Sequence, residues 1–228
     1  MTQRSILAGT NQTIIIKAGG SVTVKGHAGE RLIAEGSAGL SVERRSESEI
    51  GRARAAVGDH VLFDLRIKLP SLKEKKEPEE VIEIQIGGSG EVLVPFESNL
   101  KVYAGKDINI QNIRGQVDAY SGLHLNLQDV NRLGNASAGG AMNLDCQTMP
   151  GTNMEFKCGR DLRFHVHDLT SARIRVRDLG GYWEARIGGG EKSVYLKSGG
   201  DVTLVTDQTV EALPPNYILG KIEKPTRA

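Results

Sequence analysis

A short unit recurs through this chain: a small residue, a glycine, two further residues, then an apolar–polar–apolar triplet. It reads Ala104-Gly105 leading to Ile108-Asn109-Ile110, then Ser121-Gly122 leading to Leu125-Asn126-Leu127. It returns as Ala138-Gly139 before Met142-Asn143-Leu144, Cys158-Gly159 before Leu162-Arg163-Phe164, and Ser198-Gly199 before Val202-Thr203-Leu204. A further copy, Ala18-Gly19 before Val22-Thr23-Val24, stands near the N-terminus. From Gly105 to Gly199 the glycines are spaced by 17, 17, 20 and 40 residues. The 40-residue step leaves room for one more unit, with Gly180-Gly181-Tyr182-Trp183 near its middle. A period this short suits neither a propeller blade nor a helical-pair repeat. It suits one turn of a β-solenoid.

The expected fold is therefore all-β, a β-solenoid with coils of about 17–21 residues. Stacking such coils aligns equivalent positions in columns. Ile108, Leu125 and Met142 form one inward column and Ile110, Leu127 and Leu144 the next. Asn109, Asn126 and Asn143 point outward, where stacked amides can bond along the ladder. Glycine at each corner is expected to supply a positive φ. The low aromatic content, 4% against 28 glycines, fits a narrow aliphatic core. A β-sandwich would also explain the period-two alternation of SVTVKG, EVLVPF and ARIRV, but not the 17-residue columns.

The regular units span residues 91–208. Residues 1–90 read as a less regular β region, expected to cap one end. They include strands near 22–24, 32–34, 61–67 and 81–86 and two charged stretches at 43–54 and 71–80, the second a solvated loop. Residues 209–228 form a C-terminal tail, whose Pro214 and Pro215 cannot continue a central strand. The tail is expected to pack on the end of the stack or on a neighbouring subunit.

The run EVLVPFESNLKVYAGKDINIQNIRGQVDAYSGLHLNL resembles the repeat region of the putative-adhesin β-strand repeat family, the DUF4097-type or toastrack domains. Val94-Pro95, Gly105 to Ile110, Ile113, Gly115, Val117, Ala119, Ser121 and Gly122 carry the resemblance. Ile174, Val176, Leu179, Gly181, Trp183, Ala185 and Gly188 echo the same half-coil. The likeness covers about residues 90–206. It implies a β-strand repeat fold and says little about activity; such proteins often lie beyond a membrane segment, in an envelope-sensing setting. A weaker resemblance is to the bactofilins, cytoplasmic filament-forming β-helices.

Charge and chemistry narrow the function. With 29 basic and 28 acidic residues the chain is not a general polyanion binder, so nucleic acid is not the expected partner. No apolar run approaches the roughly 18 residues of a membrane-spanning helix, and no secretion signal is visible. Two cysteines fit a reducing compartment. The expected location is cytoplasmic, with peripheral contact to the envelope as an alternative.

Arg173, Arg175 and Arg177 alternate along one strand, and Arg160, Arg163 and Arg186 lie in neighbouring coils. Arg173, Arg175, Arg177 and Arg163 are the candidate stripe for an anionic partner. His165 and His167 flank Val166, so on a strand both point to one side about 7 Å apart, and a metal would need a third ligand from His124 or Asp168. The plainer reading is a pair of exposed polar side chains, and no metal or other cofactor is assigned. Asp107, Asp161 and Asp201 each follow a corner glycine. Their regularity points to corner hydrogen bonds rather than to the clustered carboxylates of a carbohydrate-active enzyme. No catalytic residue is assigned. The expected role is a non-catalytic structural or protein-interaction module, with a self-assembling bactofilin-like scaffold as the alternative and a carbohydrate-active β-helix enzyme far behind.

Overall fold

The computed structural model describes residues 1–9, 12–46, 80–169, 171–206, 208–213 and 221–223. The expected strand at 61–67, most of the two charged stretches, the two prolines of the tail and Tyr217 to Leu219 lie outside them. Nineteen strands and no helix occur among the described residues, and so no helix there is long and apolar enough to cross a membrane. The N-terminal strands are β1 (Thr2–Leu7), β2 (Thr13–Ala18), β3 (Val22–His27), β4 (Arg31–Gly36), β5 (Ser41–Ser46), β6 (Glu80–Ile86), β7 (Gly90–Pro95) and β8 (Asn99–Ala104). Two long strands follow, β9 (Ile108–Ser121) and β10 (Leu125–Ala138). After them come β11 (Met142–Thr148), β12 (Asn153–Cys158), β13 (Leu162–Val166), β14 (Ala172–Asp178), β15 (Gly181–Ile187), β16 (Lys192–Ser198), β17 (Val202–Val205), β18 (Val210–Leu213) and β19 (Lys221–Glu223).

Backbone pairing sorts these strands into two ladders. The first runs β5, β6, β2, β8, the C-terminal halves of β9 and β10, then β12, β16, β14, β15 and β18. The second runs β1, β4, β7, β3, the N-terminal halves of β9 and β10, then β11, β13, β17 and β19. Pairing is parallel through the middle of both ladders and antiparallel at both ends of the first and at the β1–β4–β7 end of the second, which finishes on the parallel pair β17–β19. Strands β9 and β10 each run through both ladders and join them in one sheet.

The predicted columns are present. Ile108, Leu125, Met142, Leu162 and Val202 are successive Cα partners, as are Ile110, Leu127, Leu144, Phe164 and Leu204. All ten are buried. They share one core with Ile14, Ile16, Val102, Phe156 and Leu196 of the other ladder. Phe156 meets Phe164 across that core with ring centroids 5.5 Å apart. Alternate residues face outward, and Asn143 Nδ2 donates to Asn126 Oδ1 at 2.8 Å, the amide bond expected between neighbouring rungs.

Two expectations need correcting. None of the repeat glycines has a positive φ; Gly39, Gly181, Gly188 and Gly190 do. The repeat glycines are required for close approach instead. Gly87, Gly19, Gly105, Gly122, Gly139, Gly159 and Gly199 form a column in which a Cβ on each of the last six would lie 2.1–2.6 Å from the preceding glycine's carbonyl oxygen. Positive φ appears at the opposite bend, in Asn112 (57°) and Asp129 (52°), 17 residues apart. Short polar side chains tolerate that conformation best after glycine. Asp129 is an extra residue relative to β11, since Leu127 pairs with Leu144 but Val130 with Cys146. This is a β-bulge, which bends β10 within its pairing with β11 before the strand reaches β12 at Ala136.

The second correction concerns the 40-residue step. No further unit is inserted between Gly159 and Gly199: β16 pairs with β12 and β17 with β13 directly. Residues 172–187 form the hairpin β14–β15, which pairs on the outer side of β16. A similar detour occurs at the other end. Residues 13–27 sit inside the stack, between residues 80–95 and 99–111, while β1, β4 and β5 flank the outermost rung.

Candidate interaction face and histidine cluster

Strand alternation places Arg173, Arg175 and Arg177 outward on β14, with Ala172, Ile174 and Val176 in the core. Their environments differ. Arg173 forks onto Glu184 with bonds of 2.9 and 3.0 Å, and this partner holds the Glu184 carboxyl below its usual range. Arg175 donates to Ser193 Oγ at 3.1 Å. Arg177 lies beside Lys197, and Lys197 beside Lys157. Neighbouring strands are about 4.8 Å apart, so these three cations occupy successive steps of one outward row. Lys157 reaches Glu155 on its own strand at 2.9 Å. The Asp178 carboxylate accepts from Trp183 Nε1 at 2.9 Å and from the Gly180 amide at 3.0 Å. Like charges directly opposite on adjacent strands repel, and this row sets three side by side.

Arg163 stands apart. It is on β13, in the other ladder, between Asn143 and Thr203. The expected stripe is therefore a patch of Lys157, Lys197, Arg177 and Arg175, without Arg163. Lys157 and Lys197 escaped notice because pairing across 40 residues is visible only once β16 is known to stack on β12.

His165 and His167 do point to one side, with ring centroids 4.1 Å apart. Their third neighbour is neither of the residues expected. His124 Nδ1 accepts from the Ala141 amide at 3.1 Å in a corner, and the Asp168 amide bonds back to Gln147. Asp145 fills the place. It is the Cα partner of His165 across β11 and β13, and its Oδ1 lies 3.3 Å from His165 Nδ1 and 2.8 Å from His167 Nε2. The clue was in the repeat: the 20-residue step from Gly139 to Gly159 carries Asp145 onto His165.

Other candidate groups are structural. Asp107 Oδ1 accepts from the His124 amide at 3.2 Å and Asp161 Oδ1 from the Asp201 amide at 3.0 Å, corner bonds of the kind the repeat suggested. Cys146 and Cys158 are free and buried. Burial pushes the Cys146 thiol up to about 12, with the Asp145 charge adding to the effect, and raises Cys158 as well. Neither is an activated thiolate. A groove of about 440 Å³ lies at the bulge, lined by Phe96, Asn112, Ile113, Arg114, Asp129 and Asn131 among others. There the Arg114 guanidinium rests 4.9 Å above the Phe96 ring.

No protein-family model matches the sequence, and no curated protein does. Among solved structures, the chain is similar to the crystal structure of a putative cell adhesion protein from Clostridium sporogenes ATCC 15579. The two share 8% identity over 98% of this chain and 99% of that one, with a TM-score of 0.40.

Proposed function

We propose that the chain is a non-catalytic β-solenoid that serves as an interaction module for an acidic protein surface, acting in the cytoplasm. In this reading the two ladders are faces of one coil stack, as the toastrack resemblance implies. Parallel registers at 17- and 20-residue offsets support the coil assignment. The observation that carries the functional reading is the row Lys157, Lys197 and Arg177. A flat, strand-borne row of adjacent cations bears a repulsion that an anionic partner would relieve. Tyr182, the Cα partner of Arg177, adds a 43% exposed ring at the end of that row, and tyrosine is enriched at interfaces. Two unpaired thiols fit the proposed compartment.

A triple variant, Lys157→Glu, Lys197→Glu and Arg177→Glu, tests the reading. It should keep the parent's circular dichroism and melting temperature. Cross-linking in cell extract at low salt should capture an acidic protein with the parent chain and not with the variant. Capture should fade as salt rises, because attraction between exposed charges is screened beyond about 8 Å at physiological ionic strength. The same proteins captured by both chains would rule the row out as the docking surface.

A further inference from the structure

We propose that Asp145, His165 and His167 form a binding site for one divalent transition-metal ion of the zinc type. Their ligand atoms all lie within 4.8 Å of one another. In a tetrahedral zinc site, ligands at about 2.0–2.1 Å from the metal lie about 3.3–3.4 Å from each other. The Asp145–His165 separation, 3.3 Å, already has that length. The Asp145–His167 separation, 2.8 Å, opens by about half an ångström to reach it. Both imidazole nitrogens face the same carboxylate oxygen, Oδ1, and an ion bound there would replace the hydrogen bond between His167 and Asp145.

The backbone holds this arrangement in place. Asp145 and His165 are paired residues of a parallel ladder. Beyond the end of β13 the His167 amide still donates to the Cys146 carbonyl at 3.0 Å, and the Asp168 amide to Gln147 at 2.8 Å. His167 therefore follows His165 on the same side at the strand period of two. Ligands set on paired strands are better preorganised than ligands on loops.

The donor set selects the metal class. Two imidazoles and one carboxylate suit zinc, copper, nickel or iron(II), whereas calcium and magnesium take oxygen ligands. The protein supplies three ligands, which leaves a fourth position to water. The site opens outward through His167, which is exposed, while Asp145 and His165 are half-buried.

The test uses the full chain, freed of metal by chelation and titrated calorimetrically with zinc chloride. Cobalt chloride added to a second sample reports coordination number through its visible absorption. One zinc ion per chain, a four-coordinate cobalt spectrum and a zinc-dependent rise in melting temperature are expected. His167→Ala, at an exposed position outside the core, should lower zinc affinity at least about 100-fold, the upper end of what losing an outer-shell partner costs. His167→Gln serves if the alanine variant folds poorly, and His124→Ala should bind zinc like the parent. No stoichiometric uptake, or equal uptake by the parent and the His167 variant, would overturn the site.

Discussion

A Cβ built on Gly122 would lie 2.2 Å from the carbonyl oxygen of Gly105, one rung away. The same amide that approaches so closely donates to the Ala104 carbonyl at 2.9 Å, so the rungs cannot separate without breaking the ladder. Except at Gly87, which follows Ile86, the residue before each glycine of the column is small. Ala18, Ala104, Ser121, Ala138, Cys158 and Ser198 are successive partners that fill the narrow corner.

Gly122→Ala should therefore destabilise the protein by about 1–3 kcal/mol, the range for overpacking a tight site. Gly9→Ala is the control. Its added Cβ would meet the Gln12 side chain at 3.7 Å, an ordinary contact. Urea midpoints measure both. Equal midpoints would mean the glycine column is not close-packed.

Leu127 and Asn126 are neighbours with opposite fates, one fully buried and the other bonded to Asn143 at the surface. Leu127→Asp should unfold the chain, since an unpaired buried carboxylate costs several kcal/mol out of a total stability of about 5–15. Asn126→Asp keeps the acceptor oxygen that Asn143 uses and should be mild. Far-ultraviolet circular dichroism distinguishes the outcomes, and equal tolerance at both positions would invalidate the inward and outward columns.

Glu83 is only 2% exposed and is met by Lys17 Nζ at 2.6 Å and Arg45 Nη1 at 3.0 Å. Burial alone would raise its pKa. The hydrogen bonds from Lys17 and Gln85, with the charges of Lys17 and Arg45, outweigh burial and hold the carboxyl below its usual value. A lowered folded pKa means the contribution is fully present above the unfolded value, about 4.3, and is lost as pH falls through the folded one. Glu83→Gln should cost about 3 kcal/mol at pH 7, since it leaves two cations facing a neutral buried group. The gap between variant and parent in urea midpoint should narrow steadily below pH 4.3. A gap independent of pH would show that the carboxylate charge contributes nothing.

Strands β18 and β19, the paired parts of the tail among the described residues, bond to β15 and β17. Deleting residues 209–228 should bare the edges of both strands and produce larger assemblies, because unpaired strand edges recruit other chains. Sedimentation velocity reads this directly. An unchanged profile and melting temperature would show that the tail covers nothing.

Much of this was legible in the sequence because the information is local. Period-two alternation identified the strands, and the repeat step predicted partners such as Leu125 with Met142. Stacking order at the ends was not legible. Gly19 meets Gly105 across an 86-residue gap, and the hairpin at 172–187 joins the outer edge instead of lengthening the middle. Any in-register parallel strand could pair there, and local pattern does not choose among them. The glycines were found, but their role was misassigned, because close approach and positive φ select the same residue. Arg163 and the β14 arginines look adjacent in a list of coils, yet strand pairing puts them in different ladders.

The central claim is that rungs stack in the order of the ladder and not of the chain. Glu91, Thr23, Asn109, Asn126, Asn143, Arg163 and Thr203 are successive partners in one outward row. At about 4.8 Å per step, Glu91 lies about 29 Å from Thr203, Thr23 about 24 Å and Asn109 about 19 Å. Pulsed electron paramagnetic resonance between spin labels at 203 and at 91, 23 or 109 measures these spacings. The account predicts that position 91 is the farthest and position 23 lies between 91 and 109, although chain order would put 91 between 23 and 109. Position 91 lying nearer to 203 than position 23 does would contradict it.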